Sequence, residues 1–431
     1  MTETLLRAGE EFARELDAAD ALAGFRDRFE LPGAGERGPR IYLLGNSLGP
    51  LPRAVRKIVN DQLDGWSNRA VDSYFEPPAA WRDMDVRFRE GMAAIVGAAP
   101  HEVGLMNGLT VNLHLLFASF FRPEGSRSKV LVERPCFPSD RYVVATQLAW
   151  HGIDPKTGII EVGDGDHGPI TAEAIECVLR ERGEEIAVVF LGGVNFLTGE
   201  WLDIERIVRA AHAAGCAVGF DLAHAAGNVP LRLSDWNVDF AAWCTYKYLN
   251  AGPGAVAGLF VHERHAMDAT RFRLGGWWGT DPEARFRWSL QDDYLPRRDA
   301  AGWQMSCPPV LSLAPLGPAL ELFTEAGMSR VRDKSVRMTG YLEWLLEQLA
   351  HPFLRIITPT SPDRRGAQLS LLTRDAHHMQ RSLAAAGVDI DVREPDVVRL
   401  SPAPLFNTYH DVWRAAHLVA DELRAQEAPD A

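Results

Sequence analysis

The middle of the sequence alternates short β-branched runs with amphipathic stretches, and this alternation restricts the possible folds more than any other feature. The run 129–133 (KVLVE) precedes a helical pattern, and the run 186–191 (IAVVFL) precedes a second helical pattern at 203–215 that ends at a glycine. Three further runs follow, at 216–222, 239–244 and 254–261. Strands that alternate with helices predict an α/β fold with a largely parallel sheet covered by helices on both faces.

The character of the sequence changes near residue 313. A long amphipathic helix is predicted over 329–350, short strands over 367–373 and 397–402, and a last helix over 408–426. We therefore expect a large domain, a smaller α+β domain at the C-terminus, and an N-terminal helical segment that packs on the smaller domain. These expected units cover residues 41–313, 314–431 and 1–40, respectively.

Length and composition narrow the range of functions. A chain of 431 residues is long enough for two packed domains. The net charge of −13 argues against a nucleic-acid partner, which favours a basic face. Every apolar run is shorter than the roughly 18 residues of a membrane span, and the charged N-terminus lacks the apolar segment of a signal peptide. The five scattered cysteines, without a C-x-x-C pair, predict reduced thiols in a cytoplasmic protein, with neither a zinc site nor disulfides.

The segment 244–250 (CTYKYLN) places Lys247 between two tyrosines, after an apolar run and before a glycine-rich turn. Asp221 ends the preceding apolar run, where an unpaired carboxylate is unfavourable. Because the carboxyl ends of parallel strands meet at one edge of a sheet, we expect Asp221 and Lys247 to converge there. Taken alone, Asp221 could instead cap a turn, and the nearby His224 could be a packed, hydrogen-bonded histidine.

An aspartate and a lysine at one edge of a parallel sheet are suited to bind pyridoxal phosphate. The lysine forms a Schiff base with the cofactor aldehyde, and the aspartate keeps the ring nitrogen protonated. The segment 107–114 contains a small-residue turn with Thr110, and the helix that it opens has free N–H groups that favour a phosphate. The segment 136–140 (CFPSD) adds Asp140 and an aromatic ring, Phe137, that could stack on the cofactor. Each of these segments could also be an ordinary part of the core.

Longer stretches of the sequence resemble kynureninases, which are fold-type I pyridoxal-phosphate enzymes. The most specific block contains FDLAHAAGN (220–228) and DFAAWCTYKYLNAGPGAVAGLFVHERH (239–265). The upstream matches are YLLGNSLGPLP (42–52), MNGLTVNLHLL (106–116), FPSD (137–140) and TGEWLDI (198–204). The downstream matches are GGWWG (275–279), SCPPVLS (306–312) and VVRLSPAPLFNTYHDVW (397–413). The resemblance therefore covers nearly the whole chain, in order.

The resemblance implies a role for each matching residue. Lys247 would form the Schiff base, Asp221 would pair with the pyridine nitrogen, and His224 would lie against the cofactor near Asp221. Arg399 would bind the substrate carboxylate, for which a guanidinium is suited by its bidentate geometry. The other implied contacts are Phe137 stacked on the ring, Asp140 beside it, Leu109, Thr110 and Tyr246 around the phosphate, and Trp277 and Cys307 reaching the phosphate or substrate across a homodimer interface.

Two positions depart from the pattern of the family. Cys307 stands where kynureninases usually carry Asn, and Gly192 stands where they usually carry Ser or Thr. A thiol is a weak hydrogen-bond donor, and glycine removes a hydroxyl group. Losing one hydrogen bond to a ligand costs about 1–3 kcal/mol, so we expect a changed substrate preference and retained cofactor binding.

The resemblance implies hydrolysis of L-kynurenine, 3-hydroxykynurenine or another ring-substituted kynurenine to an anthranilate and L-alanine, in tryptophan catabolism or a secondary pathway. Lys247 would remove the substrate Cα proton. Tyr246 is a candidate for the general acid that protonates the leaving carbon, but it could instead donate a hydrogen bond to the phosphate.

Four alternative functions compete with kynurenine hydrolysis. An aminotransferase of the same fold would share the Asp and Lys but release a keto acid. A cysteine desulfurase would need a nucleophilic cysteine late in the chain, and no cysteine follows Cys307. A non-catalytic binding protein of this fold would tend to lose the lysine. A metal hydrolase using His262 and His265 lacks the H-E-x-x-H spacing.

Overall fold

The structure is a computed structural model of the chain, and it describes residues 6–33, 40–77, 80–165, 167–285 and 294–427. The strands are β1 (Phe29–Glu30), β2 (Ile41–Tyr42), β3 (Leu51–Pro52), β4 (Val103–Met106), β5 (Lys129–Glu133), β6 (Ile159–Val162), β7 (Ile186–Gly192), β8 (Ala217–Asp221), β9 (Phe240–Trp243), β10 (Ala257–Val261), β11 (Arg355–Ile356), β12 (Leu369–Leu372), β13 (Val388–Asp389), β14 (Asp391–Arg393) and β15 (Val397–Leu400).

The helices range in length from four to twenty residues. They are α1 (Glu10–Ala18), α2 (Ala54–Arg69), α3 (Met84–Val96), α4 (Leu109–Phe120), α5 (Pro138–Trp150), α6 (Pro155–Gly158), α7 (Ala172–Arg182), α8 (Ile204–Ala213), α9 (Glu263–Ala266), α10 (Val310–Leu313), α11 (Leu316–Ala326), α12 (Met328–Glu347), α13 (Ala376–Ala385) and α14 (Tyr409–Glu427). In the described part of the chain, no helix is both long and apolar enough to span a membrane.

The central sheet has seven strands in the order β4-β10-β9-β8-β7-β5-β6. Strands β5 to β9 pair in parallel, whereas β10 runs antiparallel to both of its neighbours. The prediction of an α/β fold with a mostly parallel sheet is therefore confirmed. Sequence reasoning did not identify β4 and β6, which contain only four residues each, or the reversed direction of β10.

Side chains alternate between the two faces of this sheet, and helices cover both faces. Val130 and Val132 of β5 contact the apolar cluster that contains α4 and α5. Leu131 of β5 points to the opposite face, where α3, α7, α8 and α11 contribute buried side chains. Burial on both faces explains why the strands read as continuous apolar runs in the sequence. Helix α11 belongs to this core although it lies beyond residue 313.

A second, four-stranded antiparallel sheet forms near the C-terminus in the order β11-β12-β15-β14. Its apolar cluster includes side chains from α12, α13 and α14. The N-terminal helix α1 joins this cluster through Phe12, whose ring meets Tyr341 edge-on at a centroid distance of 5.8 Å. Asp17 of α1 accepts hydrogen bonds from the backbone N–H groups of Tyr409 and His410, at the start of α14.

Candidate active site

The carboxyl ends of four neighbouring strands meet at one edge of the central sheet. Glu133 ends β5, Gly192 ends β7 and Asp221 ends β8, while Lys247 follows β9 after a short turn. The register places Asp221 opposite both Gly192 and Ala242. Parallel pairing therefore brings together residues that are far apart in the sequence, and this is the position where open α/β sheets bind ligands.

A cavity of about 320 Å³ lies at this edge. Its walls contain eight of the residues that the resemblance implicates, together with Gly192: Leu109, Thr110, Phe137, Asp140, Asp221, His224, Tyr246 and Lys247. The volume is within the usual range for small-ligand sites. Sequence reasoning did not identify the other lining residues, which are Gly108, Val111, Glu133, Ser139, Val194, Phe196 and Ala223.

Backbone contacts fix the loop that carries Lys247. The Thr245 hydroxyl donates to the carbonyl of Val256 at 2.6 Å, and the N–H of Asn250 donates to the carbonyl of Lys247 at 2.9 Å. From the GNSLG segment, the N–H of Gly49 donates to the carbonyl of Tyr246 at 2.8 Å. A Cβ atom on Gly49 would lie 2.7 Å from the Lys247 carbonyl oxygen, so this close backbone approach requires glycine.

Two buried carboxyl groups face each other in the cavity. Burial raises the pKa of Asp140, and the charge of Asp221 and a hydrogen bond to it add to this increase. Burial also raises the pKa of Asp221, but the Lys247 ammonium and the N–H of Ala223, which donates to Asp221 at 2.7 Å, oppose the shift. The pKa of Asp140 is raised further than that of Asp221, so a proton shared by this pair is favoured on Asp140 and the negative charge on Asp221.

Aromatic rings form the walls beside the lysine. The Lys247 Nζ atom lies 5.9 Å from the centroid of the Phe137 ring, which meets Phe196 edge-on at 5.3 Å. His224 is buried, with its ring 6.4 Å from that of Tyr248. Burial lowers the pKa of His224 well below its usual value, and the positive charge of Lys247 lowers it further. The imidazole is therefore neutral at physiological pH.

The start of α4 also lines the cavity. Gly108 precedes the helix in an extended conformation and gives it no side-chain cap. The Thr110 hydroxyl lies 2.8 Å from that of Ser139 at the start of α5. Two helix N-termini with adjacent hydroxyl groups make this end of the cavity favourable for an anion such as a phosphate.

Three implicated residues do not line this cavity. The Arg399 side chain is fully buried, and its Nε donates to Asp391 at 2.7 Å while its second terminal nitrogen also contacts that carboxylate. Its remaining nitrogen donates at 2.6 Å to the carbonyl of Phe196, so the guanidinium lies directly behind the cavity wall. Trp277 is 47% exposed and donates to the carbonyl of Arg285. Cys307 is half-buried, outside the cavity lining.

His262 and His265, the alternative metal ligands, have partners within the protein. His265 contacts Asp239 at 2.7 Å, and the Nδ1 atom of His262 accepts the N–H of Arg264. Among the described residues, no group of three or more His, Cys, Asp or Glu side chains is placed to hold a metal ion. A larger cavity of about 460 Å³ lies elsewhere, and Arg364 in its wall pairs with Glu200.

The solved structures similar to this chain share its fold. The apo cysteine desulfurase of Thermococcus onnurineus NA1 superposes with a TM-score of 0.75 at 15% identity, covering 93% of this chain and 98% of that one. A C-DES mutant with glycine covalently linked to the PLP cofactor gives a TM-score of 0.76 at 17% identity, with 91% and 98% covered. These identities support the fold alone.

Relatives with higher sequence identity show the family, whereas the solved structures show only the fold. The kynureninase of Myxococcus xanthus is 47% identical over 416 residues, which is 96% of this chain and 97% of the relative. The kynureninase of Salinispora tropica is 47% identical over 429 residues, which is 97% of this chain and 99% of the relative. The family described as the kynureninase C-terminal domain matches residues 331–419. The chain therefore belongs to the kynureninase family of pyridoxal-phosphate-dependent hydrolases.

Proposed function

We propose that this site hydrolyses L-kynurenine, or a ring-substituted kynurenine, to an anthranilate and L-alanine with pyridoxal phosphate as cofactor. The observation that carries the proposal is the convergence of Lys247 and Asp221 in one cavity that is also lined by a helix N-terminus. A cofactor with an aldehyde, a basic ring nitrogen and a phosphate matches these three groups.

The residues present fit this cofactor. Within the described part of the chain, Oδ1 of Asp140 and Nδ1 of His224 are buried without hydrogen-bond partners, and both residues line the cavity. Buried polar atoms normally have partners, so their presence here fits a polar ligand. The N-terminus of α4, with Thr110 and Ser139, would hold the phosphate, and Phe137 would stack on the ring.

When bound, pyridoxal phosphate supplies an aldehyde for a Schiff base and a ring that accepts electron density from the substrate Cα. Lys247 would hold the cofactor and then, as a neutral amine, remove the Cα proton. Asp221 would keep the ring nitrogen protonated, because it is the ionised member of the carboxyl pair. The neutral His224 would pack against the cofactor without adding a positive charge.

Tyr246 would deliver a proton to the carbon that leaves with the alanine product. Burial raises the pKa of Tyr246, and the adjacent Cys244 sulfur adds to this effect. The phenol therefore stays protonated across the physiological range and can act as a general acid. A hydrogen bond from Tyr246 to the phosphate is the competing role.

Arg399 would bind the substrate carboxylate from behind the cavity wall. The guanidinium already binds one carboxylate, Asp391, through two of its nitrogen atoms. Arg393 lies 3.4 Å from the same carboxylate and could hold Asp391 when Arg399 turns to the substrate. This exchange requires the guanidinium to leave the Phe196 carbonyl, to which it now donates at 2.6 Å, and to turn toward the cavity.

We further propose that the active unit is a homodimer in which Trp277 and Cys307 reach the neighbouring site. An apolar groove of about 620 Å³ lies next to Cys307 and is lined by Trp66, Val71 and Leu311. Val71 is 65% exposed and Trp66 is 62% exposed. A contiguous exposed apolar surface of this kind is typical of a protein interface.

The dimer can be tested by sedimentation. We expect Val71→Glu to give a monomer that binds pyridoxal phosphate less tightly, because a charge would be buried in the interface. The matched control is Phe353→Glu, which charges an exposed apolar residue on the C-terminal part of the chain. A wild-type protein that sediments as a monomer with saturating cofactor would contradict the dimer.

The free cysteines support a further proposal, a cytoplasmic location.

Product analysis tests the proposed reaction. Purified protein with pyridoxal phosphate would receive L-kynurenine or 3-hydroxykynurenine, and mass spectrometry would detect the anthranilate and alanine. Lys247→Ala should abolish both turnover and the visible absorbance of lysine-bound cofactor, while the exposed control Lys156→Ala should keep both. Cofactor binding without cleavage of either substrate would refute the proposed substrates but keep the cofactor assignment.

A further inference from the structure

Glu133 is a buried acid in the cavity wall for which the proposed reaction has no use. It ends β5, one strand beyond β7, and its side chain lines the cavity beside Asp140 and Asp221. Only 4% of Glu133 is exposed. A third carboxyl group at this position needs a physical explanation, because burying a charge without a cation is costly.

The charges around Glu133 do not compensate a negative charge. The titratable groups that act on it from other elements are Asp221 at the end of β8 and Glu200 in the turn after β7. In turn, the charges of Glu133 and Asp140 both raise the pKa of Cys136. In the described ranges, no cationic side chain forms an ion pair with Glu133.

Glu200, in the same region, has partners that partly offset the effect of burial, which raises its pKa. Its carboxylate is fully buried, yet it pairs with Arg364 and accepts the N–H of Ile170 at 2.7 Å. Glu133 has no such cation, and the Lys247 ammonium already opposes the pKa shifts of Asp140 and Asp221. One ammonium cannot balance three buried carboxylates.

Hydrogen bonds hold Glu133 against the turn that closes the cavity. The N–H of Gly192 donates to its Oε2 atom at 3.0 Å, and the Asn195 amide donates to its Oε1 atom at 3.2 Å. Val194 and Phe196, in the same turn, line the cavity. A Cβ atom on Gly192 would lie 2.9 Å from Oε1, so the absent side chain at 192 leaves the space that the Glu133 carboxyl group occupies.

We propose that Glu133 is a positioning residue that carries a proton at neutral pH, holds the turn at 192–196 in place, and leaves Asp221 as the ionised carboxyl group facing the cofactor ring. The inference rests on the proposed cofactor position but not on the identity of the substrate. The two hydrogen bonds favour the carboxylate, but burial outweighs them and raises the pKa of Glu133 to about 8. Asp221 and Glu200 add to the same increase.

Infrared spectroscopy of the holoenzyme tests the proton directly. At neutral pH, wild type should show the carbonyl stretch of a protonated carboxyl group that is absent from Glu133→Gln, and ¹³C-labelled glutamate should shift this band. The band should disappear as the pH rises through about 8. The control Glu161→Gln, on the neighbouring strand β6, removes an exposed carboxylate paired with Arg141 and should keep the band. A wild-type spectrum identical to that of Glu133→Gln would overturn the proposal.

Cofactor dissociation tests the positioning role. Glutamine resembles a protonated glutamate, since its carbonyl can accept from Gly192 while Asn195 keeps the Pro135 carbonyl as an acceptor. Glu133→Gln should therefore release pyridoxal phosphate at nearly the wild-type rate. Glu133→Leu leaves the Gly192 N–H unpaired and should release the cofactor about tenfold faster. Equal rates for wild type and Glu133→Leu would show that Glu133 does not position the cavity wall.

Thermal unfolding supplies a second measurement of the proton. A folded-state pKa of about 8, compared with 4.5 for the free side chain, means that wild type loses stability between these two pH values. The Tm of Glu133→Gln relative to wild type should therefore rise from pH 4.5 to about pH 8 and stay constant above it. A difference that stays flat across this window would contradict a protonated Glu133.

Discussion

Two buried acidic sites lie at opposite ends of the same parallel strands, and their surroundings differ. Asp221 is the last residue of β8, whereas Asp239 immediately precedes β9, the neighbouring strand. Both carboxyl groups are buried. At the carboxyl ends, three acids face a single lysine in an open cavity. At the amino end, one acid is surrounded by donors.

The donors around Asp239 saturate its carboxylate. His212 contacts it at 2.9 Å and His265 at 2.7 Å, the N–H of Val218 donates at 2.7 Å, and Arg264 forms an ion pair with it. Burial would raise the pKa of Asp239, but the hydrogen bonds from the two histidines outweigh it, so the pKa lies below its usual value. This end of the sheet therefore holds a stable charge.

At the cavity end, burial outweighs the hydrogen bonds in its effect on the pKa values. Burial raises the pKa values of Glu133 and Asp140, and polar atoms of Asp140 and His224 lack partners in the described structure. Such unsatisfied groups cost stability in the protein alone. The contrast indicates that the Asp239 end contributes to stability, and that the cavity end is built for a ligand that supplies the missing partners.

The largest expected effect concerns Asp221. Asp221→Asn should lower kcat about a thousandfold, because an amide cannot keep the ring nitrogen protonated. The Tm should change little, because this carboxylate pays a desolvation cost that the single ammonium only partly offsets. Steady-state assays of anthranilate formation and calorimetry would measure the two quantities. A kcat within tenfold of wild type would contradict the assigned role.

Asp239→Asn, in contrast, should lower the stability of the protein and leave kcat unchanged. It removes the charge that pairs with His212, His265 and Arg264, and we expect a loss of about 2–3 kcal/mol in the free energy of unfolding, with kcat unchanged. Urea unfolding measures the loss, and Asp235→Asn in the adjacent exposed turn is the control.

The pH dependence of this loss has a defined sign. The folded-state pKa of Asp239 lies below the ordinary 3.8, so its contribution is complete above pH 3.8 and is lost as the pH falls towards the folded value. The difference between wild type and Asp239→Asn should therefore be constant near neutrality and shrink under acidic conditions. A difference that grows on acidification would contradict the assigned charge.

Much of this architecture could be predicted from the sequence, because the strands are buried on both faces and read as apolar runs. Asp221 and Lys247 stood out because polar residues end such runs. Glu133 ends the run KVLVE in the same way, so the same signal could have identified it. The short strand β6 gave a weak signal because only four residues pair and Glu161 is exposed.

Features that depend on distant contacts could not be predicted. Arg399 pairs with Asp391 on the adjacent strand β14, and its third contact comes from Phe196, about 200 residues earlier. The raised pKa of Asp140 follows from its burial and from the charge of Asp221, which no local pattern encodes. The roles of Trp277 and Cys307 depend on a second chain and stay predictions.

Asp140→Asn should have a smaller effect than Asp221→Asn. The raised pKa of Asp140 favours its neutral form, and an asparagine is likewise neutral and keeps a donor toward Asp221. We expect kcat to fall by less than about tenfold, which corresponds to less than about 1.4 kcal/mol. Asp140→Ala removes the donor, and its kcat should therefore fall further than that of Asp140→Asn. Equal losses in Asp140→Asn and Asp221→Asn would show that both carboxyl groups need a charge.

The smallest expected effect is the change in the free energy of unfolding in Gly192→Ala. We compare it with Gly219→Ala, in which the added methyl group would meet a more rigid neighbour. In Gly192→Ala the new methyl group meets the end of the Glu133 side chain, which can shift by a few tenths of an ångström, so the cost should stay below about 1 kcal/mol. In Gly219→Ala, one strand over in β8, the methyl group would lie 2.1 Å from the buried ring of Phe240. That ring has no free space, and overpacking should cost about 1–3 kcal/mol. If Gly192→Ala is the more destabilising of the two in urea unfolding, the Glu133 carboxyl group is held as rigidly as the core. Glycine at position 192 would then be required for the Glu133 carboxyl group to occupy its observed position.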